Sequence, residues 1–256
     1  MNKRIITAAA TAFALAGLTI GVMPASAATT HINFDDYALG TVNGQNGWTS
    51  TGGYDQEIVA AGKGQALRIS NAVTSGSFGD QTFSPRVAAA SETALTHFDS
   101  SFDIKTTSDA VQPDLRLSVS PDSGTGGRMS YLRFEDQADG VHVFFDDVTD
   151  AGPFYTMATF NESDIGTLTH GAKAHTVKFI IDFVKDGADV VTIRLDGKIA
   201  TTGTTWENYY RFDNENQGGV VPPEVTSMLF RAGGTAVPAN KGNGFLINDV
   251  TLASHR

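Results

Sequence analysis

The segments HTVKFIIDFV, from His175, and DVVTIRLDGKIA, from Asp189, place an apolar side chain at every second position. A period of two puts those side chains on one face of an extended backbone, which is how a half-buried strand is written. The same alternation recurs in HINFDDY, QALRIS, HFDSSFDIKT, DLRLSVS, MSYLRFE, GVHVFFDD, FYTMATF, TSMLFRA and GFLINDVTLAS, each bounded by Gly, Asn, Asp or Pro. Helical periodicity is not sustained over three turns anywhere after the N-terminus. PRVAAASETA, from Pro85 to Ala94, is the stretch expected to form a short helix or a loop. About eleven strands without an obvious linker predict an all-β chain, one antiparallel two-sheet sandwich over 28–256.

The N-terminus departs from this pattern. Lys3 and Arg4 precede an apolar run from Ile5 to Val22, followed by Ala25, Ser26 and Ala27. A basic start, an apolar middle and a small-residue Ala-x-Ala site describe a secretory signal peptide over 1–27, so the protein is expected to be secreted and extracellular. An exported chain with no cysteine has no disulfides, and its stability must come from burial or a bound ion. The formal net charge of -10 becomes more negative once the basic leader is removed. Such a surface repels nucleic acid and anionic membranes; it leaves neutral glycans and cations as partners. Oligomeric state is not readable from the sequence.

NFDDYALGTVNGQNGW, VVTIRLDGKI and GFLINDVTL resemble the first, late and last strands of the concanavalin A-like lectin and glucanase superfamily. The resemblance implies a jelly-roll sandwich whose chain ends pair as neighbouring strands. It also implies a polysaccharide or glycan as partner, although jelly rolls host lectins, hydrolases, lyases and inert modules alike. Pairing of the ends would bring Asp35 and Asp36 towards Asn248 and Asp249, hard oxygen donors suited to a structural Ca2+, with Asp35 and Asp249 as its expected ligands. Solvated acids capping turns are the competing account.

Alternation also assigns faces. With Leu117, Leu132, Ile193 and Phe230 turned inward, Arg116, Tyr131, Arg133, Arg194 and Arg231 turn outward, joined by His142 and Asp146. If their strands share a sheet they line one concave surface. Arginines there would be salt-paired stems covering apolar neighbours, or would hold an acidic glycan as in polysaccharide lyases of this fold. In a lyase, Arg116 and Arg133 would neutralise the uronate while Tyr131 and His142 move the proton. Glycoside hydrolysis needs paired carboxyls, and the nearest match to the superfamily's acidic strand motif is NESDIGTL, with Glu162 and Asp164. Gly166 and Thr167 stand where its last acid belongs, and the Asn-Glu-Ser start reads as a turn.

GTTWENYYRFDNENQGG, from Gly203 to Gly219, concentrates rings and polar groups between glycines. Trp206, Tyr209 and Tyr210 are candidate stacking platforms for sugar rings, with Glu207, Arg194 and Arg231 as polar contacts and Trp48 as a further ring on the rim. A tryptophan beside a strand end also serves as a core plug. The expectation is a secreted carbohydrate-binding sandwich. A polysaccharide-degrading enzyme, a lyase before a hydrolase, and a non-catalytic surface or matrix scaffold are the alternatives, so catalysis is left open.

Overall fold

The computed structural model describes residues 29–75, 79–149, 159–185, 187–212 and 224–256, the side chains of 159, 211 and 212 excepted. The expected signal peptide lies outside them, as do Asp213 and Asn214. Fifteen strands form two antiparallel sheets. The eight-stranded sheet holds β1 (Thr29–Ile32), β3 (Asp55–Ala61), β4 (Gly64–Ser70), β6 (His97–Thr106), β11 (His175–Asp182), β12 (Val190–Leu195), β13 (Lys198–Thr204) and β15 (Phe245–His255). Its order is β13-β12-β11-β6-β15-β4-β3, with β1 also on β15. The seven-stranded sheet holds β2 (Thr49–Thr51), β5 (Gln81–Phe83), β7 (Arg116–Asp122), β8 (Leu132–Gln137), β9 (Gly140–Thr149), β10 (Thr159–Leu168) and β14 (Ser227–Gly233), in the order β10-β9-β8-β7-β14-β5-β2. The two chain ends pair, Thr29 opposite Ala253 and Ile32 opposite Val250.

Alternation produces the layers directly. Along β6, Phe98, Ser100, Phe102, Ile104 and Thr106 are buried, and the residues that alternate with them are partly exposed. The inward rings interlock: Phe102 packs edge-on against Phe134 (6.2 Å between centroids) and Phe230 (5.5 Å), both from the other sheet. Phe245 closes on Phe134, and Trp48 on Phe230. Trp48 is 0% exposed, and its Nε1 donates to the Tyr37 hydroxyl at 3.2 Å. It is therefore a core plug and not a rim platform; the turn NGQNGW folds its ring under Phe34.

PRVAAASETA, expected as a short helix or a loop, is a loop that pairs through Ala90 with Val225. The helix lies instead in the aromatic segment, as α1 (Glu207–Phe212). Thr205 caps it, accepting the Glu207 N–H on Oγ1 at 3.3 Å. Gly203 lets β13 approach the other sheet, since a Cβ there would stand 2.7 Å from a ring carbon of Phe145. Asp147 on β9 then accepts the Thr204 N–H at 2.8 Å, and Asn208 donates to the Val148 carbonyl at 3.1 Å. These bonds lock the crossover between sheets.

Because Phe102 bridges the layers, Phe102→Ala is expected to cost about 3 to 5 kcal/mol of unfolding free energy. Phe102→Leu should lose less. Urea denaturation followed by tryptophan fluorescence measures both.

Candidate functional site

The outward face of the seven-stranded sheet divides in two. On β7 and β14, Ser118, Ser120, Leu229 and Arg231 point away from the core yet are buried. On β8, β9 and β10 the outward side chains are partly or fully exposed. NESDIGTL forms most of β10, contrary to the turn expected from its composition, and places Glu162 opposite Asp146 and Asp164 opposite Phe144.

This open half is a charge-paired floor. Arg133 donates from Nε and Nη2 to Glu162 Oε1 at 3.0 and 2.6 Å, and pairs through Nη1 with Glu135. Its guanidinium carbon lies 4.3 Å over the Phe144 ring. Arg116 pairs with the same Glu135 oxygen at 2.8 Å. Both ring nitrogens of His142 face carboxylates, Asp164 at 2.6 Å and Asp139 at 3.0 Å, which raise its pKa. Tyr131 shares a 2.5 Å hydrogen bond with Ser118 and bonds to Arg231. Burial lowers the pKa of Arg231. The expected constellation of Arg116, Arg133, Tyr131, His142 and Arg231 is thus brought onto one face. Arg116, Arg133 and His142, however, are already paired with carboxylates, which removes the free positive charge that a uronate would need from them.

Above this floor stands an aromatic rim. Trp206 stacks on Tyr131 with centroids 5.6 Å apart and planes at 24°, and meets Phe160 edge-on at 5.1 Å. Tyr209 adds a ring 5.5 Å from Phe160 and 5.9 Å from Trp206. Trp206 and Tyr209 are partly exposed, and Phe160 is 44% exposed. Phe160, not singled out from the sequence, earns attention only through its exposure on β10. Beneath the rim, the indole N–H of Trp206 reaches the Asp146 carbonyl at 3.4 Å. The Asp146 carboxyl is pushed up to about 6 by burial and by Glu162 across the ladder, with Arg133 opposing.

Five other expected site residues lie elsewhere. Arg194 belongs to β12 in the opposite sheet and donates to the Gly197 carbonyl at 3.0 Å, so it shares no surface with Arg231. Glu207 is 1% exposed and accepts the Asp189 N–H at 3.1 Å, which makes it a support for α1. Because the segment is helical and not extended, Tyr210 turns towards the core and donates to the Arg128 carbonyl at 2.9 Å. Asp35 accepts the Gln65 N–H at 2.9 Å, and Asp249 lies 3.5 Å from His31 Nε2. Neither enters a group of three acidic or histidine ligands among the described residues.

A cleft of about 710 Å3 opens at the far end of the sandwich, beside Tyr54, Asp55, Arg68 and Lys241. Its Arg68 is spent on Asp55 (2.9 and 2.8 Å) and Glu57 (3.0 Å). The rim over β8, β9 and β10 is the better candidate, since it presents partly exposed aromatic faces beside hydrogen-bonding groups.

No protein-family model and no curated protein matches the sequence. Among solved structures, the chain is similar to a variant of the alginate lyase Aly36B in complex with an alginate tetrasaccharide. Identity is 14%, over 89% of this chain and 97% of that one, with a TM-score of 0.51. An endo-β-1,4-glucuronan lyase from the fungus Trichoderma reesei shares 14% identity over 91% and 96% of the two chains, at a TM-score of 0.45. The carbohydrate recognition domain of Emp47p shares 9% over 89% and 95%, at 0.47. The fold is a two-sheet antiparallel jelly-roll sandwich; at such identities the likeness speaks for the fold alone.

The raised pKa of Asp146 makes a signed prediction. In the unfolded chain an aspartate titrates near about 3.9. Between that value and about 6 the native state binds the extra proton, so stability falls as pH rises through this window. Asp146→Asn should therefore stabilise the protein above pH about 6, by about 1 kcal/mol after solvent screening, and change nothing near pH about 4. Urea unfolding at the two pH values checks the sign.

Proposed function

We propose that this protein is an exported glycan-binding sandwich that grips a neutral polysaccharide on the β8, β9 and β10 half of its seven-stranded sheet. The observation that carries the reading is the Tyr131–Trp206 stack, flanked by Phe160 and Tyr209, standing over a hydrogen-bonding floor. A sugar ring laid on one such face removes about 100 Å2 of apolar surface from water, worth about 2.5 kcal/mol. Two rings with hydrogen bonds from the floor reach useful affinity where one does not. Arg116 and Arg133 are paired with Glu135 and Glu162, and Asp139, Asp146 and Asp164 add further acids. That balance favours a neutral chain over a uronate. Export rests on the basic, apolar and small-residue order of the N-terminus.

One observation favours a second reading, glycoside hydrolysis. Asp146 and Glu162 are direct cross-strand partners; burial pushes the Asp146 carboxyl up to about 6, and Glu162 accepts two hydrogen bonds from Arg133. A protonated acid beside a carboxylate is the division of labour such hydrolysis requires.

A glycan array followed by calorimetry on the best neutral ligand tests the first reading, with new reducing ends assayed in parallel. Trp206→Ala should weaken binding roughly 70-fold, the equivalent of about 2.5 kcal/mol. Binding without turnover supports the module. Turnover that disappears in both Asp146→Asn and Glu162→Gln supports the hydrolase. Wild-type affinity in Trp206→Ala would overturn the assignment of this face.

A further inference from the structure

On the opposite side of the sandwich, three neighbouring strands bring two histidines and two aspartates together. Register places Asp182 of β11 opposite His97 of β6, and His97 opposite His255 of β15. Asp99, two residues along β6, projects from the same face. Nε2 of His97 and Nε2 of His255 each lie 3.2 Å from Asp99 Oδ2, and the two imidazole rings stand 4.3 Å apart. Among the described residues, this is the group of three whose ligand atoms all fall within 4.8 Å of one another.

We propose that His97, Asp99 and His255 form a binding site for a divalent transition ion, with Zn2+ as the reference ion. A tetrahedral zinc ion with bonds of about 2.0 to 2.1 Å holds its ligand atoms about 3.3 Å apart, which is the separation found here between each imidazole nitrogen and the carboxylate oxygen. The surroundings favour metal over a plain hydrogen-bonded cluster in one further respect. His97 Nδ1 faces Asp182 Oδ1 at 2.6 Å. With an ion bound, a carboxylate on that nitrogen would keep the ring proton on Nδ1 and leave the Nε2 lone pair to the metal, the usual outer support of a zinc-bound histidine. Lys178 Nζ, 3.0 Å from Asp99 Oδ1, engages the other carboxylate oxygen and leaves Oδ2 to act as a single donor. Imidazole nitrogens with one carboxylate select zinc, nickel or copper over calcium or magnesium. All three ligands are partly exposed, so the fourth position is open to water or an outside ligand. An ion here would clasp β6 and β15, with β11 joined through the Asp182–His97 hydrogen bond, in a chain that has no disulfide to do so.

The test uses tag-free full-length protein stripped with chelator, titrated with ZnCl2 by calorimetry and with Co2+ by visible absorption. Saturable binding of one Zn2+ per chain is expected, with d–d bands for Co2+. His97→Ala and His255→Ala should each weaken Zn2+ at least tenfold, while the metal-free melting curve stays close to wild type. Asp182→Asn keeps all three ligands and should weaken the ion roughly tenfold by releasing the His97 ring. If either alanine variant fails to fold, His255→Gln serves in its place. His31, beside Asp249, is the comparison: His31→Ala should leave Zn2+ binding unchanged. Absence of saturable binding in the wild type, or binding that survives loss of both His97 and His255, overturns the proposal.

Discussion

Phe102 is the contact on which the rest of the sandwich depends. Its ring comes from the middle of the eight-stranded sheet and meets Phe134 and Phe230 of the seven-stranded one edge-on. Edge-to-face packing sets both the spacing and the angle of the two layers, because the positive ring edge seeks the negative face of its neighbour. Phe245 and Trp48 extend the lock on either side. With the layers held in this way, outward side chains on β8, β9 and β10 face solvent in fixed rows, and the histidines of β6 and β15 do the same on the other surface.

The two surfaces put their charged residues to different uses. On the seven-stranded sheet the arginines are paired with glutamates and further acids stand beside them, so the floor offers no free positive charge from Arg116 or Arg133 and its distinguishing feature is the row of rings above it. Trp206 reaches that row because β13 ends against β9: Gly203 permits the approach, Thr204 bonds Asp147, and Asn208 bonds Val148. On the eight-stranded sheet, acids and imidazoles meet with only Lys178 as a cation close to Asp99, and their nitrogen and oxygen atoms converge. A glycan and a metal ion ask for these two kinds of surface respectively: apolar faces with spread hydrogen bonds, and a tight knot of lone pairs.

Much of the fold was legible in the sequence because burial imposes its period on the residues. HFDSSFDIKT marks β6 from first residue to last, and the inward assignment of Leu117, Leu132, Ile193 and Phe230 agrees with their burial. The misreadings share a cause. NESDIGTL, on an edge strand, reads as a turn because one of its faces is solvated and carries turn-forming residues; only pairing with β9 shows it to be extended. Glu207, Tyr209 and Tyr210 looked alike as loop residues, yet a single helical turn sends Glu207 and Tyr210 inward and leaves Tyr209 on the rim.

By itself, then, the sequence determined the all-β class and the alternation that sorts side chains by face, while the pairing of the chain ends was implied by a family resemblance. Tertiary structure alone decided which sheet each face belongs to. A period of two states that Arg194 and Arg231 both point outward, but outward means opposite directions on opposite layers, and layer membership depends on hydrogen bonds between strands far apart in the chain. For the same reason His97 and His255, separated by most of the protein, become neighbours only through the β6–β15 ladder. Trp206 joins Tyr131 only because the crossover carries it over the edge of the other sheet.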